Sequence, residues 1–167
     1  GIQEIEQMTG VPVLGVLPYL ANLRIEEEDS QGLEKQSRDA AAALDIAVIR
    51  LPRISNFTDF QAMEHDSGIS LRYVDALEAF GVPDAVILPG TKNTRSDLTW
   101  LHESGLARAI CDARSHETPV IGICGGFQML GENVVDEKGV EGATGTTPGL
   151  GLLQVNTRLT KKKELAQ

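Results

Sequence analysis

Two cysteines occur in the sequence, Cys111 and Cys124, and only the second stands where a thiol could do chemistry. It lies in Gly122-Ile123-Cys124-Gly125-Gly126, a G-x-C-x-G pattern. The apolar run Pro119-Val120-Ile121 precedes it, and a helix-compatible stretch with Gln128, Met129 and Leu130 follows. A sharp strand-to-helix turn of this kind holds a nucleophile in strained backbone geometry, and small flanking residues avoid collisions. The backbone N–H after the nucleophile, from Gly125, then points to where an oxyanion would form. The alternative is a small buried hydrophobe beside a glycine-rich turn; the strand before, the helix after and the glycines at 122, 125 and 126 favour the nucleophile. Cys111, between Ile110 and Asp112 in a helical stretch, reads as core packing.

A second feature is Leu88-Pro89-Gly90-Thr91-Lys92-Asn93, at the end of another apolar run. Gly90 lets the backbone approach a ligand closely, and its N–H is a candidate second oxyanion donor. Alone, Pro-Gly-Thr is a common turn. Its interest comes from ending a strand of the sheet that also carries Cys124.

The elements that must position these residues can be read from the pattern of apolar runs. Residues 45–50, 69–74, 84–88 and 119–123 are strand-like, and residues 84–88 are the most fully apolar, which places them centrally. Helical stretches are expected over 96–103 and 106–116, and Asn56-Phe57-Thr58-Asp59-Phe60 reads as a turn with a helix cap. Upstream, residues to about Met8 form a short helix that Gly10 stops, and Val11–Leu17 reads as a short buried strand closed by Pro18. Residues 21–42 are polar and weakly periodic, a connector with possible helical content. Alternating strands and helices predict an α/β fold, a mostly parallel sheet with helices on both faces in a three-layer sandwich. In such sheets the chemistry gathers at the carboxyl ends of strands.

The bulk numbers fit about one domain with one core. The 167 residues are 41% hydrophobic and 23% charged, with net charge −9, which argues against nucleic acid or an anionic membrane as partner. Few cysteines, no secretory signal and no apolar run of membrane-spanning length point to the cytoplasm. No Cys/His cluster of metal-binding spacing is present, so no metal site is expected.

Gly-Ile-Cys-Gly-Gly-Phe-Gln-Met-Leu-Gly at 122–131, together with the 88–93 segment, resembles the class I, triad-type glutamine amidotransferases of the cobyric acid synthase group. Leu51-Pro52-Arg53-Ile54-Ser55-Asn56-Phe57-Thr58-Asp59 narrows the resemblance to the cobyric acid branch, away from the a,c-diamide branch. Pro148-Gly149-Leu150-Gly151-Leu152-Leu153 is similar to the family's segment after the elbow. Thr9–Pro18 resembles the last strand of the group's upstream ATP-dependent domain. The implied organisation is residues 1–20 as the tail of that synthetase domain, 21–43 as connector, and 44–167 as an incomplete amidotransferase domain.

The resemblance implies that Cys124 attacks the side-chain amide of glutamine while backbone amides near Gly90 and Gly125 steady the oxyanion. It places Gln128 and Thr91 at the glutamine, with an exposed helix glutamine as the plainer reading of Gln128. Ammonia would pass to the upstream domain of the same polypeptide, which uses ATP and Mg2+ to amidate the corrinoid acceptor, adenosylcobyrinic acid a,c-diamide, in cobalamin biosynthesis. No cofactor is expected in residues 1–167 themselves, because the phosphate-binding G-x-x-x-x-G-K-[ST] pattern is absent. No histidine follows Cys124, and His65, His102 and His116 sit in polar or helix-surface contexts. The chain alone is therefore expected to be inactive. Two other readings stay open: a related amidotransferase subunit acting on peptidoglycan precursors, and a non-catalytic domain that keeps the elbow.

Overall fold

The computed structural model describes residues 1–16, 39 and 41–161. Helix α1 (Ile2–Thr9) ends where expected. Gly10 takes the left-handed conformation (φ 68°) and its N–H closes on the Glu6 carbonyl at 2.9 Å. The strand expected over Val11–Leu17 is a correction: residues 11–16 form no regular structure, and Leu17 and Pro18 lie outside the described residues. An apolar run becomes a strand only when a neighbour takes its N–H and C=O groups. Here side chains of the preceding helical segment take two of the N–H groups. The Val11 N–H donates to Thr9 Oγ1 (3.2 Å) and the Val13 N–H to Glu6 Oε1 (2.9 Å). Val11, Leu14 and Val16 are left exposed. Most of the expected connector, 21–38 and 40, also lies outside the described residues.

The remaining elements, in chain order, are β1 (Leu44–Ile49), β2 (Ile54–Ser55), α2 (Gln61–Glu64), β3 (Ile69–Val74), β4 (Ala85–Leu88) and β5 (Gly90–Thr91). They continue with α3 (Thr94–Glu103), α4 (Leu106–Ser115), β6 (Val120–Gly122), α5 (Gly125–Met129), β7 (Asn133–Asp136), β8 (Gly145–Pro148) and β9 (Asn156–Arg158). Strands β3-β1-β4-β6 form an all-parallel sheet in that order, with Val48 opposite Ile87 and Ile87 opposite Ile121. This is the α/β fold that the alternation of elements predicts. The interior strands β1 and β4 are the continuous apolar runs, and Val48, Val86 and Leu88 are fully buried. At the β6 side of the sheet Ile121 is half exposed.

The amino ends of the strands are tied by a buried ion pair. Arg72 on β3 grips Asp45 on β1 through Nε (2.7 Å) and Nη2 (2.9 Å). The same guanidinium donates to the Ala79 and Phe80 carbonyls. Such a pair is bidentate and geometrically selective. It sits at the opposite end of the sheet from Cys124.

Asn56 is a second correction. It enters the one-turn 3-10 helix Phe57–Phe60 with φ 54°, and its side chain caps nothing. Asparagine suits this position through its tolerance of left-handed backbone.

A small second sheet, β8-β7-β9, is not foreshadowed by any sequence period. Its loops are held by side chains. Asp136 is fully buried and accepts the N–H groups of Lys138, Val140 and Glu141, which hold its carboxyl below the ordinary 3.8 despite burial. The nearby Arg95 adds to the effect. Between β8 and β9 the chain returns to the end of α5. The N–H groups of Leu150, Gly151, Leu152 and Leu153 donate to the carbonyls of Met129, Gly131 and, twice, Leu130. These are the groups a helix end leaves without partners.

Candidate active site

The site forms at the carboxyl ends of β4 and β6. Ile123 continues the ladder past β6, its N–H on the Leu88 carbonyl at 2.9 Å. The chain then turns sharply. Cys124 has φ 51° and ψ −110°, a conformation sparsely populated by residues with a side chain, and it is exposed. The turn is closed by the Gly126 N–H on the Ile123 carbonyl (2.8 Å) and the Gln128 N–H on the Cys124 carbonyl (3.2 Å). Gly125 opens α5, where a backbone N–H has no partner within its own helix.

The flanking glycines are required by neighbouring backbone. A Cβ on Gly126 would lie 2.0 Å from the Leu88 carbonyl oxygen, and one on Gly122 would lie 2.6 Å from Phe127 Cα. At Gly125 the obstacle is the Thr91 methyl, at 2.7 Å. The G-x-C-G-G spacing is thus a packing rule: helix α5 crosses the end of β4 closer than any side chain permits.

The Pro-Gly-Thr segment faces this turn. Gly90 and Thr91 form β5, which pairs antiparallel with β2, Ser55 opposite Gly90 and Ile54 opposite Thr91. A Cβ built on Gly90 would come 3.9 Å from the Cys124 Cβ and 3.0 Å from Ser55 Oγ. Gly90 thus lies beside Cys124 and Thr91 beside Gly125, with Gln128 one helical turn further along α5. Gln128 is half buried, and its Oε1 accepts from Thr94 Oγ1 at 3.2 Å. That fixes the amide plane and turns its NH2 away from Thr94. The Thr91 hydroxyl is already engaged: it donates to Asp97 Oδ2 (2.6 Å) and accepts from the Asn93 N–H (3.1 Å).

Several of these partners escape sequence reading. Asp97 is fully buried at the start of α3, and Thr94 is nearly so. Asn93 caps α3, its side chain accepting the Ser96 N–H at 2.9 Å, so the helix begins at Thr94, earlier than residue 96. An asparagine followed by a helical run is the signal that could have set this start. Asp97 carries no such signal, since an acidic residue in a first helical turn is commonplace.

The histidines each bind a backbone carbonyl elsewhere. His65 Nδ1 lies 2.6 Å from Gln61 O, His102 Nε2 2.9 Å from Pro148 O, and His116 Nδ1 2.8 Å from Asp112 O. Cys111 is half buried on α4 with its sulfur 3.7 Å from the Leu150 carbonyl; burial, then Asp112, push its thiol up. Among the described residues no three His, Cys, Asp or Glu side chains group as a metal site. Among them, too, no helix is long and apolar enough to cross a membrane.

A parallel α/β sheet with a cysteine elbow at the carboxyl ends of its strands defines a class of enzyme-like domain, and comparison with known proteins identifies the member. The model of the CobB/CobQ-like glutamine amidotransferase domain matches residues 45–167, and the chain belongs to that family. A cobyric acid synthase of Yersinia enterocolitica is 52% identical over 165 residues, covering 98% of this chain and 32% of that protein. Cobyric acid synthases of Salmonella heidelberg and Klebsiella pneumoniae are 49% and 48% identical over 169 residues, 33% of each. The chain thus spans about a third of the length of these relatives.

Proposed function

We propose that this chain carries the glutamine-hydrolysing site of an amide ligase of the cobyric acid synthase kind, with Cys124 as nucleophile. The observation that supports it best is the backbone of Cys124: an exposed thiol held at φ 51°, ψ −110°, with Gly90 against its Cβ. Strain at one residue in an ordered turn persists only when the surroundings over-determine it, and function is the usual reason.

In the proposed reaction the Cys124 sulfur attacks the side-chain carbonyl carbon of glutamine. The carbonyl oxygen becomes an oxyanion, received by N–H groups of the Gly90 and Gly125 segments. The C–N bond then breaks, the nitrogen takes a proton and leaves as ammonia, and a thioester is left. Water cleaves the thioester to glutamate and restores the thiol. Gln128, its Oε1 held by Thr94, presents its NH2 to the glutamine. The proton transfers need a base and acid. Since His65, His102 and His116 each hold a backbone carbonyl elsewhere, we assign the proton transfers to a histidine that is none of these three. Ammonia would serve an upstream ATP-dependent domain that amidates adenosylcobyrinic acid a,c-diamide. ATP and Mg2+ would belong to that domain.

The test is covalent labelling with a glutamine-shaped chloroketone, which alkylates a cysteine without needing the base. Cys124 should be labelled stoichiometrically, glutamine should protect it, and Cys124→Ser should abolish the label. The 167-residue chain should show no steady glutamine turnover. Labelling that ignores Cys124→Ser, or that falls on Cys111, would overturn the assignment.

A further inference from the structure

A buried carboxylate joins the two halves of the site without touching Cys124. Asp97, fully buried on the first turn of α3, receives three hydrogen bonds from two other elements. Oδ2 accepts the Arg53 N–H at 3.0 Å and the Thr91 hydroxyl at 2.6 Å; Oδ1 accepts Arg53 Nη1 at 2.9 Å. Arg53 immediately precedes β2 and Thr91 ends β5, so the carboxylate seizes the β2/β5 ribbon on both strands at once. The Lys92 N–H on the Arg53 carbonyl (3.0 Å) closes the ribbon at that end.

A two-residue ribbon has little stability of its own. Yet this one places Gly90 against Cys124 and the Thr91 methyl against Gly125, two contacts the nucleophile's surroundings depend on. The bonds to Asp97 are the short, charge-assisted kind that fix geometry. On its other side the same helical turn holds α5: Thr94 donates to Gln128, and Thr94 Oγ1 lies 3.3 Å from where a Cβ on Gly125 would be. The first turn of α3 therefore sets the separation between ribbon and elbow.

We infer that Asp97 is a positioning residue for glutamine hydrolysis: acting through Thr91 and Arg53, it holds the Gly90 backbone at the distance from Cys124 that the oxyanion requires. The inference rests on the reading of Cys124 as the nucleophile. Misplacement by an ångström is enough to impair such a site. In Asp97→Asn the one acceptor oxygen can still receive the two bonds now made to Oδ2, but the charge that strengthens them is lost and the new NH2 faces Arg53 Nη1, so the grip on the ribbon weakens. In Thr91→Val the shape is kept and two bonds are lost, the one to Asp97 and the one from the Asn93 N–H. Arg53 keeps its main-chain bond whatever its side chain.

The experiment uses the whole 167-residue chain as wild type, Asp97→Asn, Thr91→Val and the double variant. For each, Cys124 alkylation by the glutamine-shaped chloroketone is compared with alkylation by iodoacetamide, and the amide resonances of Gly90 and Gly125 are followed by NMR. The expected result is a fall of at least about tenfold in the chloroketone-to-iodoacetamide rate ratio in each single variant, since a hydrogen bond to a charged group carries at least that factor. The double variant should lose no more than the worse single one, because both act on one contact. The Gly90 and Gly125 resonances should shift while those of Ile46 and Leu71 do not. Unmoved Gly90 and Gly125 resonances in a folded variant, or additive losses in the double, would overturn the inference. If Asp97→Asn does not fold, Thr91→Val decides on the same two readouts. A wild type without preference for the chloroketone would count against the nucleophile reading, and the resonances would still decide the positioning role.

Discussion

At the scale of single residues, Cys124 carries the strain and its neighbours carry the space. Its φ of 51° and ψ of −110° suit glycine and cost a residue with a Cβ about 1–3 kcal/mol. Glycine's extra freedom in the unfolded chain costs only about 0.5–1 kcal/mol. Relief of strain wins, so Cys124→Gly should be more stable than Cys124→Ala by roughly 1–2 kcal/mol, measured as a difference in denaturant midpoints at equal slope. Equal stability would mean that the turn is relaxed in solution. The turn at Cys124 and the elbow glycines were legible in the sequence because each is a property of residue type at fixed spacing. Asp97 was not. A carboxylate's importance there comes from burial and from Thr91 and Arg53 reaching it across the fold, none of which the local sequence records.

Elements are held by two kinds of device, and they were unequally visible. The parallel strands β1, β3, β4 and β6 are continuous or alternating apolar runs, and a sequence period finds them. The β2/β5 ribbon and the β7–β9 sheet are too short to show a period and depend on pairing with distant chain. The same dependence misled at the amino end, where Val11–Leu17 has the apolar content of a strand and, over the described residues, no ladder. The Asp45–Arg72 pair shows how much a distant device can matter. Arg72→Ala removes the guanidinium from a carboxylate that is 2% exposed and should cost about 3–5 kcal/mol. Because the pair lies at the far end of the sheet from the elbow, chloroketone labelling of Cys124 well below the new midpoint should be unchanged. A variant that loses labelling while remaining folded would show coupling between the two ends.

For the molecule as a whole, pH is the readiest probe of what holds the small sheet to the larger one. Three backbone N–H groups lower the Asp136 pKa below its ordinary 3.8, so its ionised form is favoured by folding. The sign follows: this contribution is fully present above about pH 4 and is lost as pH falls through the folded pKa. Thermal midpoints of wild type and Asp136→Asn should therefore differ at pH 7 and converge as the pH falls below 3.8 and through the lowered folded pKa. A gap that persists undiminished in acid would assign the stabilisation to something other than the carboxylate's charge. The loop that Asp136 shapes also meets α3, where Glu141 accepts the Arg95 N–H at 3.0 Å and its carbonyl accepts from Asn93 Nδ2 at 2.7 Å. The small sheet thus reaches the same helical turn that organises the site.

Residues 150–153 support the elbow helix from behind through four peptide N–H groups, while Leu150, Leu152 and Leu153 also pack against the core. Every amino acid except proline brings that group, so the hydrogen-bonded part of the support follows from the path of the chain. Proline at any of these four positions would remove a donor, and at Gly151, with φ 66°, any side chain would strain the turn that braces the helix behind Cys124.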